Sequence, residues 1–533
     1  MEEEENNCAE KHVENKNILM KIDSNEVVDF VEEEQSILNL TDHIIKQDQF
    51  DGIHILDERF KKVEGAPNFR QIEDFLVYGT GQPTKEAMME IINLAVTGTS
   101  TRRLIWFNMR QEPVVYVNGL PFAPRCLGNP HMNLEDKLDP ENIKAVEAHL
   151  DKVLKKRFKE GDDGTIMFHK DKAFAENPME REDMEVAIEV ESIESFESVF
   201  NFCREKSKAE LKMVYVPVIE EQMTSTASYD IIVEALKDEK ASVPCVFSCQ
   251  MGKGRTTIGM ISACLIKQVQ LTTELKELEK IGLIDSKTMR DLLYQKFEHM
   301  PHVSDEEVDP LTRGEFKVVQ ELHTAIPATT EAKRKLDIVI DKCGVPPQGV
   351  GIQNLRECIM GTKYKYDVEP EEKQDVYKQR IMNFIERYFY LICFSHYCLE
   401  FGPDDYKPSF TSWMEEHQEI IKLGREGRGK IEWSRTVDES KLQKLKEMMM
   451  DPDFKANLGP IIKTIYEFAF LTYSDLPKGK IKTNCMRKLA TTTLMEIISP
   501  DMAEKINKKI EEDKTVSHDF LTIVGMISQD DLE

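Results

Sequence analysis

Long apolar runs are missing from this 533-residue chain: no stretch approaches the length that a membrane-spanning helix needs. Positive charge is in short supply as well. Against 97 Asp and Glu stand 70 Lys and Arg, a net charge of −27, which argues against nucleic acid as a partner and against general adhesion to anionic membranes. The eleven cysteines form an odd set with no Cys-x2-Cys pair, which excludes a regular disulfide framework and reads as free thiols in a reducing compartment. Met1-Glu2-Glu3-Glu4-Glu5 offers neither the apolar core of a secretory signal nor the second-position glycine of myristoylation. A soluble, cytoplasmic protein is expected, long enough for two to four domains.

What the chain does contain is a loop suited to phosphate. Pro244-Cys245-Val246-Phe247-Ser248 has the length and apolarity of a strand, and the segment from Ile258 to Ile266 has the apolar periodicity of a helix. Between them, Cys249-Gln250-Met251-Gly252-Lys253-Gly254-Arg255-Thr256-Thr257 brackets a short glycine-containing turn with a cysteine and an arginine. The first N–H groups of a helix lack partners within it, and the positive end of its dipole faces the loop, so anions settle there. Gly252 and Gly254 let the backbone turn its amides inward. Arg255 offers phosphate oxygens a fixed fork of donors. The same field favours a thiolate over a thiol at Cys249, which makes it a nucleophile at neutral pH. Thr256 is expected to donate to the sulfur and so help the thiolate leave. The loop lacks the Gly-x4-Gly-Lys-Ser/Thr spacing of a nucleotide P-loop, so ATP binding is not the reading.

Taken in order, residues 1–50 hold fourteen Asp and Glu against four Lys and Arg. They read as a solvated acidic tail without assignable chemistry, a short helical lead-in over Val27–Val31 and Ile37–Leu40 being the alternative. From residue 66 strands and helices alternate. Phe75-Leu76-Val77-Tyr78-Gly79-Thr80 is a short strand, and Thr84 caps a helix from Lys85 through Ala95. Arg103–Asn108 is a strand that runs into the charged cluster Arg110-Gln111-Glu112, and Val114–Phe122 is a hairpin turning at Asn118-Gly119. A long charged helix is expected over 139–160, strands at Thr165–Phe168 and Val186–Val190, a helix over 194–207, a strand at Lys212–Val218 and a helix over Ser228–Lys237. This alternation implies an α/β fold with a mostly parallel central sheet flanked by helices, its ligands gathered at the carboxyl ends of the strands. Cys249 and Glu220 both lie just past such ends. A cysteine phosphatase needs an acid to protonate the leaving oxygen and then a base for the attacking water. Glu220 is the preferred candidate, with Glu221 beside it as the alternative.

Tyr78-Gly79-Thr80-Gly81-Gln82-Pro83, Trp106-Phe107-Asn108-Met109-Arg110-Gln111-Glu112 and Phe247–Thr257 together resemble the cysteine-dependent phosphatase superfamily, and within it the paladin-like proteins. The likeness spans roughly residues 66–420. It implies that Cys249 is the nucleophile, Arg255 the phosphate clamp, the amides of Gln250, Met251, Gly252, Lys253, Gly254 and Arg255 the cradle, Thr256 the leaving-group donor and Glu220 the acid. Two positions depart from the pattern: Ile219 stands where proline is usual before the acid, and Ser248 where histidine often precedes the cysteine. Paladin-like proteins carry repeated phosphatase-like domains, and this chain has one complete loop.

The expected organisation is an acidic segment over 1–65, a phosphatase-like domain over 66–325 and a helical C-terminal region over 326–533. Within that last region Gly424-Arg425-Glu426-Gly427-Arg428-Gly429-Lys430 reads as a basic, flexible turn, and residues 440–533 as charged helices that extend the chain toward partners. The expected reaction is hydrolysis of a phosphate monoester through a phosphocysteine intermediate, with no metal or cofactor. Lys253 adds a second cation to the loop and favours a substrate with more than one phosphate. A phosphoinositide headgroup is the first choice and a phosphotyrosine protein the second. Membrane contact would be transient, with recruitment by signalling partners rather than by a basic surface. The alternative is a pseudophosphatase that binds phosphorylated ligands without turnover.

Overall fold

The computed structural model describes residues 43–48, 62–97, 102–128, 140–160, 165–171, 183–218, 224–298, 313–343, 354–368, 371–427 and 500–512, with isolated positions between them. Its eleven described strands form two sheets. The strands are β1 (His43–Gln47), β2 (Arg70–Ile72), β3 (Val77–Thr80), β4 (Arg103–Asn108), β5 (Val115–Val117), β6 (Leu120–Cys126), β7 (Thr165–Asp171), β8 (Asp183–Glu189), β9 (Ile193–Ser195), β10 (Glu210–Tyr215) and β11 (Cys245–Ser248). The five-stranded sheet runs β10-β4-β11-β3-β2, parallel apart from the edge strand β2. This is the expected parallel sheet, with β11 at its centre.

Five helices accompany these strands: α1 (Lys85–Val96), α2 (Pro140–Glu160), α3 (Phe196–Ser207), α4 (Thr226–Leu236) and α5 (Gly254–Lys280). Thr84 caps α1 as expected, its hydroxyl accepting from the Ala87 amide at 3.1 Å. Side chains alternate across the parallel sheet. Ile105, Phe107, Cys245 and Phe247 point into a core shared with α4 and α5. Leu104, Trp106 and Val246 point into a second core shared with α1, α2 and α3. Phe107 and Phe247 stack across neighbouring strands at 4.5 Å between ring centroids.

The second sheet, ordered β8-β7-β1-β6-β5-β9 and largely antiparallel, closes the latter core. Its hairpin β5–β6 turns at Asn118 and Gly119, both at positive φ, as the sequence implied. Strands β5 to β8 are legible in the sequence, but β1, β9 and the assembly into a second layer are not part of the sequence reading. The acidic lead-in is the first correction. Within the segment read as a solvated tail, β1 pairs with β6 and β7, and Asp48 just beyond it is buried. The Val27–Leu40 lead-in lies outside the described residues.

After α5 come α6 (Ser286–Leu293), α7 (Lys317–Ala325), α8 (Thr329–Cys343), α9 (Leu355–Val368), α10 (Glu371–Phe401), α11 (Phe410–Glu416), α12 (Gln418–Gly427) and α13 (Pro500–Glu512). Ile381, Ile385, Tyr388 and Ile392 of α10 lie in the same core as α5 and the parallel sheet. The glycine-rich segment from 424 is the second correction, because α12 continues through Gly427. Gly427 is buried, and a Cβ there would lie 2.3 Å from the Val318 side chain. These glycines serve close helix packing rather than a flexible turn; residues 428–430 lie outside the described residues.

Candidate active site

Strand β11 ends between β4 and β3, and its chain passes straight into the loop that opens α5. Cys249 is 2% exposed, and the Gly252 amide donates to its sulfur at 3.2 Å. Gly252 has φ of +73°, and a Cβ on it would lie 2.4 Å from the Gly81 nitrogen. Only glycine meets both demands without strain. The carboxyl end of β3 holds the loop from below: the Cys249 amide and the Thr256 hydroxyl both donate to the Thr80 carbonyl, at 3.4 and 3.2 Å. Gln82 donates its amide to the Gln250 carbonyl at 2.9 Å. Arg70 of the edge strand β2 donates to the Gly252 carbonyl at 2.6 Å and to the Thr257 hydroxyl at 2.7 Å, and Asn68 donates to the Met251 carbonyl at 2.8 Å.

Arg255 comes from the first turn of α5 and is fixed by Glu112, past the end of β4. One guanidinium nitrogen reaches both carboxylate oxygens, at 2.7 and 2.9 Å, and also the Val218 carbonyl at 3.3 Å. Burial pushes the Glu112 carboxyl up, but Arg255 and Arg110 outweigh it and hold the group below the ordinary carboxylate range. The charge network continues. Arg110 pairs with Asp48, Arg125 reaches the same carboxylate at 2.6 Å, and the Gln250 side-chain amide donates to it at 2.9 Å. For Asp48 burial again raises the carboxyl, and Arg110 and Arg125 prevail to leave it at about 2. Arg70, Arg110, Arg125 and Arg255 are all buried here, against the carboxylates of Asp48 and Glu112. In a strongly acidic chain, this is a local concentration of positive charge.

Cys249 follows β11 and Arg255 lies in the first turn of α5, with Gln250, Met251, Gly252 and Gly254 along the loop between them. The Thr256 hydroxyl donates to the Thr80 carbonyl, which the Cys249 amide also reaches. Lys253 is half-buried, and its charge acts on Cys358 of α9, whose thiol burial pushes up to about 12. Ser248, in the place where histidine is frequent, accepts from the Trp106 indole at 2.9 Å. Glu220 and Glu221 lie outside the described residues, though Val218, just before them, touches Arg255.

Asp48, Arg70 and Arg125 escaped the sequence reading, which had no signal to bring them to the loop. Glu147 of α2 escaped it too. Its carboxyl accepts from the Val114 amide at 3.0 Å and from the Tyr215 hydroxyl at 3.2 Å, and burial pushes it up to about 8. It anchors the backbone two residues beyond Glu112.

Comparison with known proteins bears on this geometry. The model of the PTP-like phytase family (inositol hexakisphosphate) matches residues 107–267, from the end of β4 through the loop into α5. Paladin of Danio rerio is 26% identical over 416 residues, covering 72% of this chain and 44% of its own length. Paladin of Xenopus tropicalis is 24% identical over 384 residues, with shares of 68% and 38%. The chain spans less than half the length of these curated relatives. Among solved structures, the PTP-like myo-inositol phosphatase of Mitsuokella multacida in complex with myo-inositol-(1,3,4,5)-tetrakisphosphate is 13% identical with a TM-score of 0.42, over 71% of this chain and 48% of that one. A PTP-like phytase from Bdellovibrio bacteriovorus is 14% identical with a TM-score of 0.31, over 65% and 88%. The chain is thus similar to the paladins over about two thirds of its length, and it matches the PTP-like phytase family model around the loop.

Proposed function

We propose that the protein is a cysteine-dependent phosphatase acting on a phosphorylated inositol, a phosphoinositide headgroup in the first instance. The observation that carries this reading is the pairing of a buried cysteine, whose sulfur accepts from a loop amide, with an arginine oriented by a buried carboxylate. In the first step the Cys249 thiolate attacks phosphorus, the S–P bond forms and the ester P–O bond breaks, and the leaving oxygen takes a proton from the acid. In the second a water attacks phosphorus, gives its proton to the same carboxylate, and phosphate leaves as the S–P bond breaks. Arg255 and the loop amides stabilise the charge on the transferring group.

Neither buried carboxylate described at the loop suits the acid's role, since Glu112 and Asp48 are held ionised by arginines. Glu220 remains our candidate, with Glu221 as its alternative, and the contact of Val218 with Arg255 supports a start for that segment beside the clamp. A substrate with several phosphates is favoured by the four buried arginines, by Lys253 in the loop, and by the inositol hexakisphosphate family match. A phosphotyrosine protein is the second choice. One observation favours slow turnover or a phosphate-binding pseudophosphatase: the Thr256 proton is committed to Thr80.

Single-turnover release of phosphate from a soluble inositol polyphosphate, a phosphoinositide and a phosphotyrosine peptide tests the proposal against Cys249→Ser. Release by the wild type alone, with the inositol compounds ahead of the peptide, is expected. Background release by both proteins would overturn the enzyme reading, and binding of the same ligands would then identify the pseudophosphatase.

A further inference from the structure

Helix α2 departs from the acidic balance of this chain, with six Lys and Arg against four Asp and Glu. Every exposed residue described on it is lysine, arginine or alanine. At 100° per residue, Lys144, Lys152, Lys155, Lys156 and Lys159 fall on one arc of about 120°, and the first and last are about 22 Å apart along the axis. The opposite side carries Ile143, Val146, Leu150 and Leu154, all buried in the core shared with the parallel sheet. The helix is therefore clamped by its apolar side and carries the lysines on the opposite arc, the Lys144 ammonium lying 5.0 Å from the centre of the Tyr215 ring at one end. A half-buried Asp151, paired with Lys155 at 2.8 Å, stands beside the row.

We propose that this row is a docking surface for anionic lipid bilayers. Three features favour a lipid surface over other anionic partners. The cations are lysines, compact point charges suited to a diffuse field, where arginine forks would suit bidentate contacts. Only alanines lie between them on that arc, so the patch lacks the aromatic or arginine anchors around which protein interfaces are built. Neighbouring lysines stand within about a Debye length of one another, so they act on a flat anionic surface together. Net charge pointed away from a basic surface. Folding reverses that locally, because it gathers lysines that are spread through α2 onto one side. The docking helix is tied to the candidate site through Glu147, which accepts from Val114 beyond Glu112, but lipid binding itself does not depend on turnover.

Flotation of the full chain with vesicles of phosphatidylcholine alone, or with about 30% phosphatidylserine in roughly 0.1 M salt, tests this without any phosphorylated inositol present. Binding to the anionic vesicles only is expected, with loss at high salt. The quadruple change Lys152→Glu, Lys155→Glu, Lys156→Glu and Lys159→Glu should weaken it by roughly a hundredfold or more. The corresponding four Lys→Arg changes should retain it, and so should Lys276→Glu with Lys280→Glu on exposed α5 positions. A melting curve on each variant separates loss of binding from loss of fold; should the glutamate variant not fold, the four Lys→Gln changes take its place. Wild-type protein that stays unbound, a folded charge-reversed variant that still floats, or binding to polyglutamate or duplex DNA in place of vesicles would overturn the proposal.

Discussion

Glu112 and Arg255 meet fully inside the protein, one guanidinium nitrogen contacting both oxygens of the carboxylate. The pair joins the segment past the end of β4 to the first turn of α5 and so holds the arginine side chain in place. Glu112→Gln should lower phosphate release about a hundredfold, the scale of losing an oriented transition-state donor. It should also cost on the order of 3 kcal/mol, since it leaves buried cations without their counter-charge. Inorganic phosphate should restore part of the lost thermal stability by supplying negative charge beside Arg255. Unchanged release in single-turnover assays would remove Glu112 from this role.

Asp48 connects the second sheet to the loop through Arg110, Arg125 and Gln250. Its folded value of about 2 lies below the ordinary 3.8, so its contribution is present above pH 4 and is lost as pH falls through 2. The linkage is worth about 2 kcal/mol. Asp48→Asn should therefore be less stable than wild type at neutral pH, and the gap should narrow toward pH 2. Chemical denaturation at several pH values reads this directly.

Glu147 has the opposite sign. Its carboxyl is raised from 4.5 to about 8 by burial, so the folded protein holds a proton that the unfolded chain has released between those values. Stability should fall as pH rises from 4.5 to 8, by on the order of a few kcal/mol. Glu147→Gln keeps an acceptor for the Val114 amide and lacks the titration, and its stability should be nearly flat across that window. Parallel slopes for the two proteins would refute the assignment.

The Thr256 hydroxyl donates to the Thr80 carbonyl. Thr256→Ala should cost about 1 kcal/mol through the lost hydrogen bond, and Thr256→Ser should recover it. The ratio of phosphocysteine formation to its hydrolysis, read from burst kinetics, should stay the same in all three proteins. A burst that grows in the alanine variant would return the hydroxyl to the leaving-group role.

The sequence by itself determined the local pieces. A five-residue apolar strand, glycines within a turn and an apolar helix leave the backbone few options, and they placed Cys249, Arg255 and the loop amides at one strand end. Hairpin and cap chemistry fixed Asn118-Gly119 and Thr84 in the same way, because turns and caps are decided by residues a few positions apart. What joins distant segments was decided only by the tertiary structure. Asp48 sits 202 positions from Gln250 and still bonds its side chain. The two-sheet layering, the burial of Arg70, Arg110 and Arg125, the ionised state of Glu112 and the protonated state of Glu147 all depend on which surfaces exclude water together. A carboxylate in sequence carries no mark of whether it will face solvent or buried arginines. The cysteine loop was thus legible from its own residues, and the charge network that orients it was not, since that network exists only where two sheets close over one core.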